Sequence, residues 1–253
     1  MTDQAFVFES WAVSHQGCVR ELNEDRYLME PATGLWLVAD GMGGHDAGEV
    51  ASGAIVEHMG TIGIASSAAD QHARFVDRLT KANRQLQAYS EQRNGATVGS
   101  TIVALLAYEG QYTCLWMGDA RIYQIRRGKL RQLSRDHSEV QELVESGVLT
   151  KEEARNWPRR NVITRAVGVQ PELNLDAVYG AMEDNDTYLL CSDGLTAHCT
   201  DEDILEAVSG RRAKEACEIL LDLTLSRGGT DNVTIVIVQC RNPDATIPVA
   251  ASA

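Results

Sequence analysis

The chain has 253 residues, 44% of them hydrophobic, which is enough for a sizeable core in one domain. Its formal net charge, 23 − 36 = −13, sets nucleic-acid binding aside, because such proteins present a basic face. No apolar run approaches the ~18 residues of a membrane span and no basic, apolar leader opens the chain, so a cytoplasmic protein without membrane contact is expected.

Residues 6–14 alternate loosely and read as an edge strand that Gly17 breaks. Arg20 to Asp25 is charged and aperiodic, and by itself it reads as a solvated turn. Its Arg20, Glu24 and Asp25 nevertheless stand just ahead of the most informative stretch. Residues 35–39 form an apolar run with the look of a buried strand; Asp40 ends it, and Gly41, Gly43 and Gly44 follow at once. A carboxylate between a rigid strand and a Gly turn suits a hard cation, and a bare Gly carbonyl can approach the same ion. An ordinary tight turn with Asp40 as a helix cap is the competing reading. A dinucleotide loop fails because position 46 is Asp, and no Gly-Lys-Ser/Thr follows to make a P-loop.

Ala47, Val50, Ala51, Ala54, Ile55 and Met59 recur at helical spacing, residues 60–70 read as a loop, and residues 71–91 as an amphipathic helix ended at Asn94-Gly95. Strands then follow at 100–108 and 111–117, joined at Glu109-Gly110, and at 121–125 and 130–133, joined at Arg127-Gly128. Between these hairpins lies Gly118-Asp119. Residues 138–146 read as a helix with Gly147 as its C-terminal stop, and Thr150 with Glu153 forms a capping box for a short one. Trp157 to Asn161 is irregular, basic and exposed. Residues 187–191 are another strand, closed by Asp193-Gly194; helices follow at 200–209 and 211–225, and Asp231-Asn232 opens a last strand at 233–240. Six cysteines occur without a Cys-x-x-Cys pair, so no zinc or redox motif is expected, and Cys114, Cys191 and Cys240 read as buried free thiols.

Asp40, Asp119, Asp193 and Asp231 thus each stand where an apolar strand meets a Gly-rich or polar turn. One such Asp is turn chemistry. Four suggest converging carboxylates, which need cations or shared protons. Oxygen-only sites suit Mg²⁺ or Mn²⁺. Two such ions ~3.5–4 Å apart can lower the pKa of a shared water and aim it at phosphorus, while Arg20 offers a forked donor for phosphate.

The motifs Arg20-x-x-Asn23-Glu24-Asp25, Val38-Ala-Asp40-Gly41-Met42-Gly43-Gly44, Gly99-Ser100-Thr101, Gly118-Asp119-x-Arg121, Asp136-His137-Ser138, Ile163-Thr164-Arg165-Ala166-x-Gly168, Ser192-Asp193-Gly194 and Asp231-Asn232 occur in this order. Together they resemble the bacterial metal-dependent Ser/Thr protein phosphatases of type 2C, over about residues 10–240. The resemblance implies an α+β fold, a four-layer α/β/β/α sandwich of two antiparallel sheets flanked by helices; the domain is assigned residues 1–242, and the tail at 243–253, with Pro243, Pro248 and a closing Ala-Ala-Ser-Ala, reads as disordered. It implies hydrolysis of phosphoserine and phosphothreonine by direct attack of a water bridging two Mn²⁺ or Mg²⁺ ions, with no phosphoenzyme. Asp40 then resembles the ligand of both ions, the Gly41 carbonyl a ligand of one, and Asp193 and Asp231 ligands of the other. Asp119 resembles the ligand of a third, weaker ion shared with Asp193; Glu24 and Asp25 resemble holders of metal-bound water, and Arg20 the phosphate anchor. Residues 140–165 resemble a flap beside the site, where Arg159 and Arg160 form a candidate dock for phosphoprotein. Implied partners are phosphoprotein substrates and an opposing Ser/Thr kinase, with the enzyme monomeric.

Two positions depart from the family pattern. Met42 stands where many eukaryotic members carry the His assigned as general acid, which leaves His45 or a metal-bound water for that role. Ala120 replaces the usual Ser. His137 and Ser138 read as structural. A phosphatase-like binding domain with little activity is the alternative, disfavoured because Asp40, Asp193 and Asp231 are all present; a Mg²⁺-dependent nuclease is disfavoured by the acidic charge.

Overall fold

The computed structural model describes residues 6–44, 46–155 and 157–243. In chain order these form β1 (Val7–His15), β2 (Asp25–Glu30), β3 (Leu35–Gly43), α1 (Ala47–Met59), α2 (Ala68–Gln92), β4 (Val98–Ser100), β5 (Ile102–Tyr108) and β6 (Gln111–Met117). There follow β7 (Arg121–Arg126), β8 (Lys129–Gln132), α3 (Glu139–Glu145), α4 (Lys151–Arg155), β9 (Asp176–Ala181), β10 (Thr187–Cys191), α5 (Asp193–Thr196), α6 (Asp201–Val208), α7 (Ala213–Ser226) and β11 (Val233–Arg241).

The apolar run that opens β3 is buried on both faces, so it reads as continuous rather than alternating. Successive side chains still point opposite ways. Leu35, Leu37 and Ala39 meet Ala51 and Ile55 of α1 and Phe75 and Leu79 of α2. Trp36 and Val38 turn inward, against Tyr188, Leu190, Val236 and Val238 of the other sheet. A third apolar layer lies beyond that sheet, where Leu189, Ile235 and Ile237 pack on Ile204 of α6 and Ala216 and Leu220 of α7. The result is the four-layer sandwich that the family resemblance implies.

One sheet has the order β1-β11-β10-β7-β8 and the other β2-β3-β5-β6-β9, with β4 paired to β3. Every neighbouring pair is antiparallel. The two central hairpins turn at Glu109-Gly110 and Arg127-Gly128 with positive φ at both residues, the conformation whose twist matches the flanking strands. Capping boxes hold the starts of α4 and α6, Thr150 with Glu153 and Thr200 with Asp203, and Gly147, beyond α3, has φ +74°.

Three expectations change. The segment around Asp25 is not a solvated turn throughout, because residues 25–30 form β2, an edge strand on β3. The loop expected at 60–70 is shorter, since Ser67 accepts from the Asp70 N–H at 3.1 Å and starts α2 at Ala68. Strand β9 and the one-turn helix α5 lie where no element was expected. All six cysteines are free, with Cys18 alone exposed. No described helix is long and apolar enough to cross a membrane. Residues 244–253, most of the segment expected to be a disordered tail, lie outside the described residues.

Candidate metal centre

Five carboxylates from separate parts of the chain come to one cleft at the end of the sandwich. Its walls include Arg20, Glu24, Asp40, Gly41, Asp119, Asp193 and Asp231, together with Met42, Thr101, Asn161, Ile163 and Asn232. Asp40 ends the apolar part of β3 opposite Asp25 of β2. Its main chain is held on the far side, where its N–H donates to Thr101 Oγ1 at 3.3 Å and its carbonyl accepts from the Thr101 N–H at 2.8 Å and Ser100 Oγ at 2.9 Å. The next residue, Gly41, donates to the Glu24 carbonyl at 3.2 Å. The Glu24 carboxylate in turn accepts from the Gly48 N–H at 3.1 Å, so the first turn of α1 fixes its place.

Asp119 rides on the turn between β6 and β7. His137 brackets that turn twice: its N–H donates to the Gly118 carbonyl at 2.8 Å, and its Nδ1 accepts from the Gly118 N–H at 3.1 Å. Nδ1 is therefore the unprotonated nitrogen, which leaves Nε2 to face Asp176 at 3.2 Å. Arg121 clasps Asp136 through Nε and Nη2, the latter at 2.6 Å. Both His137 and the N-capping Ser138 of α3 are thus structural, as the sequence suggests.

Asp193 begins α5. The preceding Ser192 donates its hydroxyl to Asp25 Oδ2 at 2.7 Å and accepts from the Thr234 N–H at 3.0 Å. The buried Asp25 has its other oxygen, Oδ1, without a partner among the described residues. Asp231 precedes β11. Its Oδ2 accepts from Arg20 Nη2 at 2.7 Å and its Oδ1 from the Asn232 N–H at 2.9 Å. The expected phosphate anchor and one expected metal ligand are therefore paired with each other.

Burial, reinforced by crowding of like charge, sets the electrostatics. Burial raises the Asp40 pKa, and Asp25, Asp193, Asp119 and Asp231 push it further. Asp119 is raised by burial and then by Asp193 and Asp136. Asp193 is raised to about 6 by burial and Asp231, against the opposing pull of Arg20 and Arg121. Burial raises Asp25 to about 7, although the Ser192 and Thr234 hydroxyls favour its charged form.

The donor set is all oxygen, and among the described residues the cleft wall sets five carboxylates against one guanidinium. That excess charge and chemistry fit hard divalent cations. No three His, Cys, Asp or Glu side chains among the described residues already close into an ion cage. Repulsion opposes such closure, and a cation would reverse it.

Cation binding must displace protons from these groups, which fixes a sign. Acids whose folded pKa exceeds the unfolded value leave the folded state holding more protons, so metal-free stability falls as pH rises from the ordinary carboxylate range through about 7. Added Mn²⁺ should therefore raise the melting temperature more at about pH 7.5 than at about pH 5.5. Equal shifts at both pH values would show that these carboxyls do not take the ion.

Arg159 and Arg160 do not line the cleft. Arg159 pairs with Glu139 at the start of α3 at 2.7 Å, which answers its charge, and Arg160 is exposed. From that segment it is Asn161 and Ile163 that reach the wall. His45 lies outside the described residues, and no histidine is among the described residues lining the cleft. Sequence reasoning missed the work of Thr101, Ser192 and Asn232, although each stands inside a quoted motif; for Ser192 and Asn232 a small polar residue next to a metal-type Asp was the available signal, whereas Thr101 adjoins no Asp in sequence.

The family model for protein phosphatase 2C matches residues 18–219. The chain is 34% identical over 235 residues to the serine/threonine phosphatase Stp of Listeria monocytogenes, covering 88% of this chain and 92% of that one. It superposes with a TM-score of 0.86 and 39% identity on PppA, a key regulatory component of T6SS in Pseudomonas aeruginosa, covering 93% of this chain and 100% of that one. Against the catalytic domain of the phosphatase PstP in complex with two manganese ions, the TM-score is 0.85 at 34% identity, covering 94% of this chain and 100% of that one. The chain belongs to the protein phosphatase 2C family, the metal-dependent serine/threonine phosphatases.

Proposed function

We propose that the cleft holds two Mn²⁺ or Mg²⁺ ions and that its substrates are proteins phosphorylated on serine or threonine by an opposing kinase. The observation that carries this reading is the wall that, among the described residues, sets five carboxylates against a single guanidinium. The solved relative with two manganese ions supports the stoichiometry. Asp40 is assigned to both ions and the Gly41 carbonyl to one. Asp193 and Asp231 are assigned to the other, and Asp119 with Asp193 to a third, weaker site. When bound, the ions supply a water of lowered pKa and neutralise charge on the phosphate.

The chain's own groups then orient and hold. Arg20 is exposed, and its planar fork suits two phosphate oxygens. Because Arg20 also pairs with Asp231 at 2.7 Å, phosphate must compete for it. In this reading Asp25, whose Oδ1 has no partner among the described residues, and Glu24, on the cleft wall, would accept from metal-bound water. Ile163 and Met42 supply an apolar wall. A role for Arg159 and Arg160 would be remote from the phosphate, through the body of a protein substrate, and His45 or a metal-bound water would be the proton donor.

Hydrolysis of a phosphothreonine peptide should require added Mn²⁺ or Mg²⁺ and stop on removal of the ions with EDTA. Comparing the two metals at saturation identifies the better one. Full turnover after exhaustive dialysis against EDTA would overturn the metal assignment.

A further inference from the structure

Residues 16–24 connect β1 to β2 and carry both Arg20 and Glu24, yet they form no helix or strand. One side chain from the far end of the sequence spans them. Asn232 is 7% exposed. Its Nδ2 donates to the Gln16 carbonyl at 3.0 Å and the Leu22 carbonyl at 2.8 Å, and its Oδ1 accepts from the Glu24 N–H at 2.8 Å. The start, middle and end of the loop are thus tied to a single carboxamide. The chemistry dictates which way the amide faces, because the reversed orientation would set its oxygen against two carbonyls.

The loop also lies directly on the chain leading into Asn232. A Cβ on Gly17 would stand 2.2 Å from the Asp231 carbonyl oxygen and 2.6 Å from that of Gly229. The Cys18 N–H donates to the Gly229 carbonyl at 2.7 Å. At the same place the Asn232 N–H holds Asp231 Oδ1, while Arg20 holds Oδ2. One residue therefore governs both members of the Arg20–Asp231 pair, Arg20 through its side chain and Asp231 through its main chain.

We propose that Asn232 is a positioning residue, whose carboxamide fixes the backbone of residues 16–24 and so sets where Arg20 and Glu24 stand over the metal cleft. The kinetic part of this proposal rests on the reading of Arg20 as the phosphate anchor; the structural part does not.

Asn232→Asp separates this role from bulk packing. It keeps the shape and the acceptor for the Glu24 N–H, but sets a second oxygen against the Gln16 and Leu22 carbonyls. Amide hydrogen exchange in residues 16–24 should accelerate about tenfold, the loss of roughly one net hydrogen bond, while β10 and β11 keep their protection. KM for p-nitrophenyl phosphate should rise by about the same factor. In an Arg20→Ala background the KM effect of Asn232→Asp should vanish, because the anchor it places is gone, while any kcat loss through Glu24 persists. Unchanged exchange in residues 16–24 would overturn the proposal. So would a KM effect that survives in full without the Arg20 side chain. If Arg20→Ala alone leaves KM unchanged, the anchor reading fails, and the exchange data still judge Asn232. Should Asn232→Asp not fold, Asn232→Ala removes all three side-chain bonds, the one from the Glu24 N–H included, without repulsion and is judged by the same criteria.

Discussion

Asp193→Asn is expected to reduce turnover on the order of a hundredfold or more while leaving the protein folded, the scale of losing one preorganised charge at a transition state. Asp193 supplies charge to a crowded site, and its pKa is raised to about 6 by burial and by Asp231. Asparagine keeps the size and removes the charge. In the metal-free protein the change relieves repulsion at neutral pH, so the melting temperature should hold or rise. With Mn²⁺ present the variant should instead gain less than the parent, because on the proposed ligand set it binds the ion more weakly. Activity and metal-free stability thus move in opposite directions, a pattern that loss of folding cannot produce. A variant with normal turnover and a normal Mn²⁺ shift would remove Asp193 from the ligand set.

Why the site was legible, and parts of the fold were not, follows from where the information lies. Each metal-type Asp stands at the end of an apolar strand beside a turn, a local pattern that a single sequence displays. The run at 35–39 announces β3 because both faces of that strand are buried. By contrast, β2 reads Asp-Arg-Tyr-Leu-Met-Glu, with Asp25 as its one fully buried residue, and β9 has none. Both are sheet edges, where half-exposed side chains blur the alternation. Helix α5 is a single turn, too short to show a period. The start of α2 was hidden because Ala68 and Ala69 give no apolar stripe.

Long-range partners are a separate matter. β1 pairs with β11 from opposite ends of the chain, and Arg20 meets Asp231 across 211 positions. No local pattern specifies either contact. The same gap explains Arg159. Two adjacent arginines look out of place in an acidic chain until the fold brings Glu139 to one of them. Asn232 is the clearest case, since its three partners in the Arg20 loop become visible only when β11 closes against β1.

Gly41→Ala is expected to be a damaging small substitution outside the carboxylates. An added Cβ would stand 2.0 Å from the Gly48 carbonyl oxygen, 2.5 Å from its carbon and 2.8 Å from the Glu24 carbonyl oxygen. All three are main-chain atoms, so no flexible side chain can swing aside. Either the first turn of α1 backs away from β3, or the end of β3 shifts. The first loosens Glu24, whose carboxylate is held by the Gly48 N–H at 3.1 Å. The second moves Asp40, whose register is shared with Thr101. Overpacking of this kind costs about 1–3 kcal/mol, a fall of roughly 2–12 °C in melting temperature for a chain this size. Turnover should fall further than stability, because both outcomes displace carboxylates. Gly53→Ala is the control: nothing lies within 4 Å of its added Cβ, and inside α1 alanine should stabilise by about 0.5–1 kcal/mol. Thermal denaturation of both variants, with Mn²⁺-dependent turnover measured alongside, decides the matter. If Gly41→Ala melts with the parent and retains its turnover, then the close approach of α1 to β3 is not what holds the cleft in shape.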